Sequence, residues 1–269
     1  MENTVIKEAA WKQFGGFCYA ETVNREMDGR ICESFSYFGK DVIGNLKQYD
    51  AIKERLILRP LYLEHVASLG NQFLYRTEGD IALVLYVTLA DDTSGLASMK
   101  IPRMIFECWE KTEEEVMQIA LANTFRNNVP RILRTVNECL NLAYQGEPFM
   151  NAGQKVRFLE HYSVPVITTT KKLNGAIAMF YPGVKEKLAE LFGDSYYVVF
   201  TSIHEARLHC KGTVSVDRMR WSLKEVNRTF PEDEKLTEKI YFYDKDRGRF
   251  EEVEGHMYSN RLKGLQKRK

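Results

Sequence analysis

One segment of this 269-residue sequence combines residue types that could do chemistry, the run Thr201-Ser202-Ile203-His204-Glu205. In an extended strand, Ser202 and His204 would lie on the same face, where a hydroxyl and an imidazole can share a ligand or a proton. The competing interpretation is structural: His204 and Glu205 bridge two strands by hydrogen bonds. Because no orienting acid and no oxyanion loop can be recognised nearby, we favour the structural interpretation.

Other site signatures are missing from the sequence. His204, Glu205 and His209 make a poor metal site, because residues i and i+5 of a strand point to opposite faces. There is also no phosphate loop, dinucleotide fingerprint, HExxH zinc motif or GxSxG nucleophile elbow. An enzyme is therefore the less favoured class, and we expect neither a metal nor a cofactor.

Two basic segments are candidate binding sites. Lys171, Lys172 and Asn174 precede a predicted helical turn, where free amides and two lysines could hold a phosphate, although solvated lysines at a turn are commoner. Residues 255–269 contain no acid. Their five basic residues, candidates for contact with nucleic acid or an acidic protein, are Arg261, Lys263, Lys267, Arg268 and Lys269.

The charge balance separates this tail from the rest of the chain. The whole sequence has 38 Lys and Arg against 37 Asp and Glu, a net charge of +1. Removing the five tail charges leaves 38 − 5 = 33 basic residues against 37 acidic ones, a body of −4. A broadly basic nucleic-acid-binding body is therefore excluded, and only the tail keeps that option.

The apolar patterns predict strands and helices that do not alternate strictly. Strands are predicted at 55–62 (an edge strand or a strand that ends there, because of Pro60), 80–89 (central), 164–170, 196–203, 206–210 and in a hairpin over 240–250. Helices are predicted at 63–69, from a capping box at Thr112, at 129–143, at 184–192 and after a cap at Asp217.

This order predicts an α+β fold with mixed or antiparallel sheets and packed helices. Residues 1–50 are difficult to interpret, 51–254 form the α+β body, and 255–269 form the basic tail. A division of the body into two lobes near 145–163 is one option. The lack of a signal peptide, of a membrane span and of any C-x-x-C pair indicates a cytoplasmic protein without a membrane partner.

Several segments, in this order, resemble the bacterial domain-of-unknown-function family numbered five-six-eight-eight. They are residues 59–89, 113–124, 171–176, 181–183, 188–193, 202–205, 225–229 and 240–244. More distantly, the layout is similar to the domain-of-unknown-function family numbered one-four-four-four. The resemblance implies a cytosolic bacterial protein, often encoded near accessory or mobile-element genes, with no known activity and no cofactor.

We therefore expect a non-enzymatic interaction protein, an accessory factor that binds and modulates a macromolecular partner such as a defence protein. One alternative is a hydrolase or phosphate-handling enzyme centred on Ser202, His204 and Glu205. The other is a nucleic-acid-binding protein that uses the basic tail.

Overall fold

The computed structural model describes residues 9–14, 17–22, 42–92, 95–141, 143–151 and 156–253. The basic tail, and with it the predictions made for residues 255–269, lies outside the described residues. Near the N-terminus, strands β1 (Ala9–Phe14) and β2 (Phe17–Thr22) pair as an antiparallel hairpin.

A four-stranded antiparallel sheet is built around one long strand. Its members are β3 (Leu56–Tyr62), β4 (Tyr75–Glu78), β5 (Ile81–Asp92) and β6 (Gly95–Lys100). Strand β5 pairs with β3 along one side and with β4 and β6 along the other. The central position of β5 is confirmed, and residues 81–87 are all buried. Strand β3 is an edge strand, as Pro60 indicated, since proline cannot donate to a second neighbour.

A seven-stranded sheet, also antiparallel, carries most of the candidate site residues. Its strands are β7 (Pro130–Leu133), β8 (Glu147–Pro148), β9 (Val166–Thr169), β10 (Tyr196–Ser202), β11 (Glu205–Cys210), β12 (Tyr241–Asp244) and β13 (Arg249–Glu252). Their spatial order is β13-β12-β10-β11-β9-β7-β8. Together with the helices, the two sheets confirm the α+β class.

The helices are mostly short. They are α1 (Tyr49–Ile52), α2 (Leu63–Ala67), α3 (Arg103–Phe106), α4 (Glu113–Asn127), α5 (Val136–Leu140), α6 (Val184–Phe192) and α7 (Val216–Asn227). Single 3-10 segments cover Lys53–Arg55, Gly70–Gln72, Glu107–Trp109, Gly175–Phe180 and Glu232–Glu234. The predicted capping box of Thr112 and Glu115 is present at the start of α4. Within the described ranges, none of the helices has the length and apolar character needed to span a bilayer.

Two helix predictions are wrong. The helix expected at 129–143 is replaced by strand β7 and the five-residue helix α5, because Ile132 and Leu133 are buried in the sheet and β7 pairs with β9. Helix α7 begins after Ser215 rather than at Asp217. The Ser215 hydroxyl accepts a hydrogen bond from the Arg218 amide at 3.3 Å and caps the helix.

The inner faces of the two sheets contribute to one hydrophobic core. Its buried members include Leu58 and Leu85 of the smaller sheet and Ile167, Phe200 and Leu208 of the larger one. The segment Gly175–Phe180 is entirely buried and contacts both β3 and β9. This segment therefore joins the two sheets in the core.

A polar cluster centred on Asp80 joins the sheets a second time, at the turn between β4 and β5. The Tyr241 hydroxyl of β12 donates to the Asp80 carboxylate, and the Thr237 hydroxyl lies 2.7 and 2.8 Å from its two oxygens. The Asp80 amide donates back to the Tyr241 hydroxyl at 3.1 Å. Burial, followed by the hydrogen bond to Asp80, raises the pKa of Tyr241 well above its usual range, so this hydroxyl keeps its proton.

We predict that Tyr241→Phe lowers the free energy of unfolding by about 2 kcal/mol, because the half-buried Asp80 carboxylate loses a hydrogen-bond donor. Chemical denaturation followed by circular dichroism measures the change. Tyr197→Phe is the matched control, since the Tyr197 hydroxyl makes no hydrogen bond within the described residues. Equal stability of the two variants would contradict the role of Asp80.

Candidate functional site

The Ser202 to Glu205 segment forms a tight turn between two antiparallel strands. Strand β10 ends at Ser202, β11 begins at Glu205, and the register shifts between Phe200 and Ser202. Inside the turn, the His204 amide donates to the buried Ser202 hydroxyl oxygen at 3.0 Å. The expectation that Ser202 and His204 share one face of an extended strand is therefore wrong, because the chain reverses direction between them.

The imidazole of His204 is held by the backbone of another segment. Its Nδ1 accepts a hydrogen bond from the Asn174 amide at 3.0 Å, so the neutral ring carries its proton on Nε2. Burial lowers the pKa of His204, which favours this neutral form. The ring offers a hydrogen-bond donor and no free lone pair, and this arrangement does not support a general base acting on Ser202.

The Glu205 carboxylate makes no hydrogen bond to the side chain of His204 or Ser202 among the described residues. It accepts a hydrogen bond from the Thr201 hydroxyl at 3.1 Å, on the outer face of the seven-stranded sheet. Of the predicted site residues, the structure thus brings together Asn174 and His204. The Ser202 hydroxyl instead accepts a hydrogen bond from a backbone amide, and the Glu205 carboxylate bonds to Thr201 on the outer face of the sheet.

Asn174 occupies an unusual place between the sheets. Its backbone is left-handed, with φ of 53°, its side chain is buried, and its Oδ1 has no hydrogen-bond partner among the described residues. It lines a small cavity of about 30 Å³ together with Arg59, Asp91, Asn128 and Lys171. That volume is close to the space of one water molecule. The cavity therefore has room for a bound water molecule that could complete the hydrogen bonding of Asn174 Oδ1.

The two lysines of the predicted anion site both have partners. Lys171 forms an ion pair with Asp91, and the Lys172 ammonium donates to the Asn141 carbonyl at 2.9 Å. The amides of Lys171 and Lys172 donate to the Asn128 side chain and to the Thr169 carbonyl. With the Asn174 amide bound to His204, three of the amides expected to cradle a phosphate are already used.

Asn128, at the end of α4, organises this loop and was not identified from the sequence. Its Oδ1 accepts from the Lys171 amide at 3.2 Å, its Nδ2 donates to the Leu173 carbonyl at 3.3 Å, and its carbonyl accepts from the Tyr181 hydroxyl at 3.0 Å. The position directly before Val129-Pro130, where a helix must end, is the sequence signal that could have indicated it.

Two further predictions concern the basic tail and a metal site. The five basic residues of the tail, Arg261, Lys263, Lys267, Arg268 and Lys269, lie outside the described residues. Within the ranges described above, three or more His, Cys, Asp or Glu side chains do not come together in a way that could hold a metal ion.

A match to a known protein family agrees with the resemblance described for the sequence. The model of a family of unknown function, DUF5688, matches residues 29–245. The chain belongs to this family. The predicted family is thereby confirmed, whereas the distant link to the second family and the bacterial origin stay predictions. Neither the curated proteins nor the solved structures contain a match to the chain.

The close approach of Gly175 to Thr168 and to the His204 carbonyl predicts that position 175 requires glycine. A Cβ there would collide with the Thr168 hydroxyl and the His204 carbonyl and would approach the Thr169 amide to 2.9 Å. We expect Gly175→Ala to lower the free energy of unfolding by roughly 1 to 3 kcal/mol, measured by urea denaturation. Gly44→Ala, which meets no atom within 4 Å, should change it little. An equal effect of both changes would rule out this packing.

The half-buried imidazole of His204 also predicts a pH dependence of stability. Because the pKa of His204 is lowered in the folded state, the unfolded chain takes up the proton first as the pH falls through about 6.5. Stability is therefore full above that pH and decreases below it. We expect His204→Asn, which keeps an acceptor for the Asn174 amide but cannot titrate, to lose less stability between about pH 7.5 and 5 than the wild type. Parallel losses in urea denaturation at both pH values would contradict this.

Proposed function

We propose that this member of DUF5688 is a binding protein and that its partner is another protein. The observation that carries the proposal is the concentration of exposed apolar side chains in one stretch of the chain. Of the nine large exposed apolar residues in the described ranges, six lie between positions 136 and 164. They are Val136, Leu140, Tyr144, Phe158, Tyr162 and Val164, which we call the apolar patch.

The exposure within the patch is large. Val136 and Phe158 are each 72% exposed, Leu140 is 74% exposed and Tyr162 is 84% exposed. Scattered single apolar residues are normal on protein surfaces, but a concentration of six large ones, three of them aromatic, is typical of an interaction site.

Arg134 links the two chain segments that carry the patch, helix α5 and the segment that contains Phe158. Its guanidinium donates to the Arg157 and Phe158 carbonyls at 2.6 and 3.2 Å, and its Nε lies 2.5 Å from the Glu147 carboxylate. Its amide also donates to the Glu138 carboxylate of α5 at 2.6 Å. The backbone beneath Phe158 is thus fixed beside helix α5, which carries Val136 and Leu140.

The contacts at the turn between β10 and β11 favour a binding function over a catalytic one. Ser202 is buried against a backbone amide, the His204 lone pair is occupied, and the nearby cavity has room for about one water molecule. We expect this partner to be a macromolecule such as a defence protein, which the protein would bind and modulate as an accessory factor.

We predict that the double variant Leu140→Asp/Phe158→Asp loses its partner while it keeps its fold. Both side chains are exposed, so the melting temperature should change by no more than about 2 °C. Two buried charges in the interface should weaken binding at least about tenfold. A photo-crosslinking amino acid at Tyr162 in the native host, followed by mass spectrometry of the adduct, identifies the partner, and titration with the purified partner gives the affinity.

Met104→Asp is the matched control, because Met104 is 51% exposed but lies on α3, outside the patch. It should bind like the wild type. A crosslink to a second copy of the chain would identify self-association as the use of the patch. Unchanged affinity of the double variant, or no adduct from Tyr162, would overturn the proposal.

A further inference from the structure

A second concave surface lies on the outer face of the seven-stranded sheet, beneath helix α7. This groove has a volume of about 280 Å³. Its apolar walls include Val199 of β10, Val164 before β9, and Met219 and Leu223 of α7. Its floor and rim also carry Arg207 and His209 of β11 and Arg218 of α7. We call it the α7 groove.

The two arginines of the α7 groove have no carboxylate partner among the described residues. In contrast, Arg220 and Arg228 of the same helix region are paired with Asp217 and Glu225. Arg218 instead stacks on the ring of Trp221, 5.0 Å from its centroid, and Trp221 is 57% exposed. The groove therefore presents two uncompensated positive charges beside apolar walls.

The acidic residue on this part of β11 forms no ion pair with either arginine. Glu205 is two residues before Arg207 on β11, and its carboxylate accepts from the Thr201 hydroxyl without forming an ion pair. The floor also holds the buried Nδ1 of His209, which has no hydrogen-bond partner among the described residues. A buried polar atom without a partner is uncommon, and it indicates a place where a ligand or a water completes the hydrogen bonding.

We propose that the α7 groove binds a small carboxylate with an apolar body. Arginine guanidinium groups match the geometry of a carboxylate and can bind it through paired hydrogen bonds. The valine, methionine and leucine side chains would cover the apolar part of the ligand.

The size of the groove limits the ligand. A volume of about 280 Å³ is near the lower end of the range for small-molecule sites in proteins. A medium-chain fatty acid such as octanoate, or an arylpropionate, has this size.

Calorimetric titration of the purified full chain with octanoate tests the proposal. Octan-1-ol, which has the same chain without the charge, should bind at least about tenfold more weakly, and acetate, which has the charge without the chain, should not bind measurably. Arg207→Gln/Arg218→Gln should weaken octanoate binding at least about tenfold, because both charged hydrogen-bond donors are lost. Arg228→Gln, on the same helix region but outside the groove, should bind within about twofold of the wild type.

The position of binding is checked by nuclear magnetic resonance. Octanoate should shift the indole N–H signal of Trp221, which stacks with Arg218, and leave that of the buried Trp109 unchanged. Circular dichroism verifies that the double variant folds, and the single variant Arg218→Gln, at an exposed position, replaces it if it does not. Absence of octanoate binding, equal affinity for octanol, unaltered affinity of the arginine variants or a shift confined to Trp109 would each overturn the proposal.

Discussion

The close approach at Gly175 is the constraint on which the arrangement of the two sheets depends. A hydrogen atom at this position allows the backbone to pass against Thr168 of β9 and the carbonyl of His204. The buried segment that follows, Gly175–Phe180, then reaches β3 of the smaller sheet. Because protein interiors are close-packed, a larger residue here would separate elements that the whole core requires in contact. The Asp80 cluster reinforces the same junction from the periphery with hydrogen bonds.

The same constraint explains why the most suggestive residues of the sequence are structural. Once the segment before Gly175 is pressed against the turn between β10 and β11, the Asn174 amide meets His204 Nδ1 at 3.0 Å. Both groups would otherwise be buried without partners, at a cost of about 1 to 3 kcal/mol each. Their hydrogen bond gives each of the two groups a partner, and it leaves the imidazole unable to accept a proton from Ser202. The polar residues at the end of β10 are therefore close together because of the packing around Gly175.

Local patterns predicted much of the fold but little of the site. The capping box at Thr112, the edge position of β3 and the burial of β5 follow from short-range rules, and the structure confirms them. The helix expected over 129–143 shows the limit, because a helical spacing of apolar residues also occurs where a buried strand precedes an exposed helix. The roles of Asn128 and Gly175 depend on segments distant in sequence, so their contacts could not be deduced without the tertiary structure.

That wrong helix also explains the origin of the apolar patch. A continuous helix would have turned Val136 and Leu140 toward a core together with Ile132, whereas the observed chain buries Ile132 in β7 and presents the other two to solvent. Side chains that are more than 70% exposed stabilise the fold little, since they remove little apolar surface from water. Val164 belongs to both the patch and the rim of the α7 groove. A partner seated on the patch would therefore adjoin the arginines of the groove, so a carboxylate bound there would lie at the edge of the protein interface.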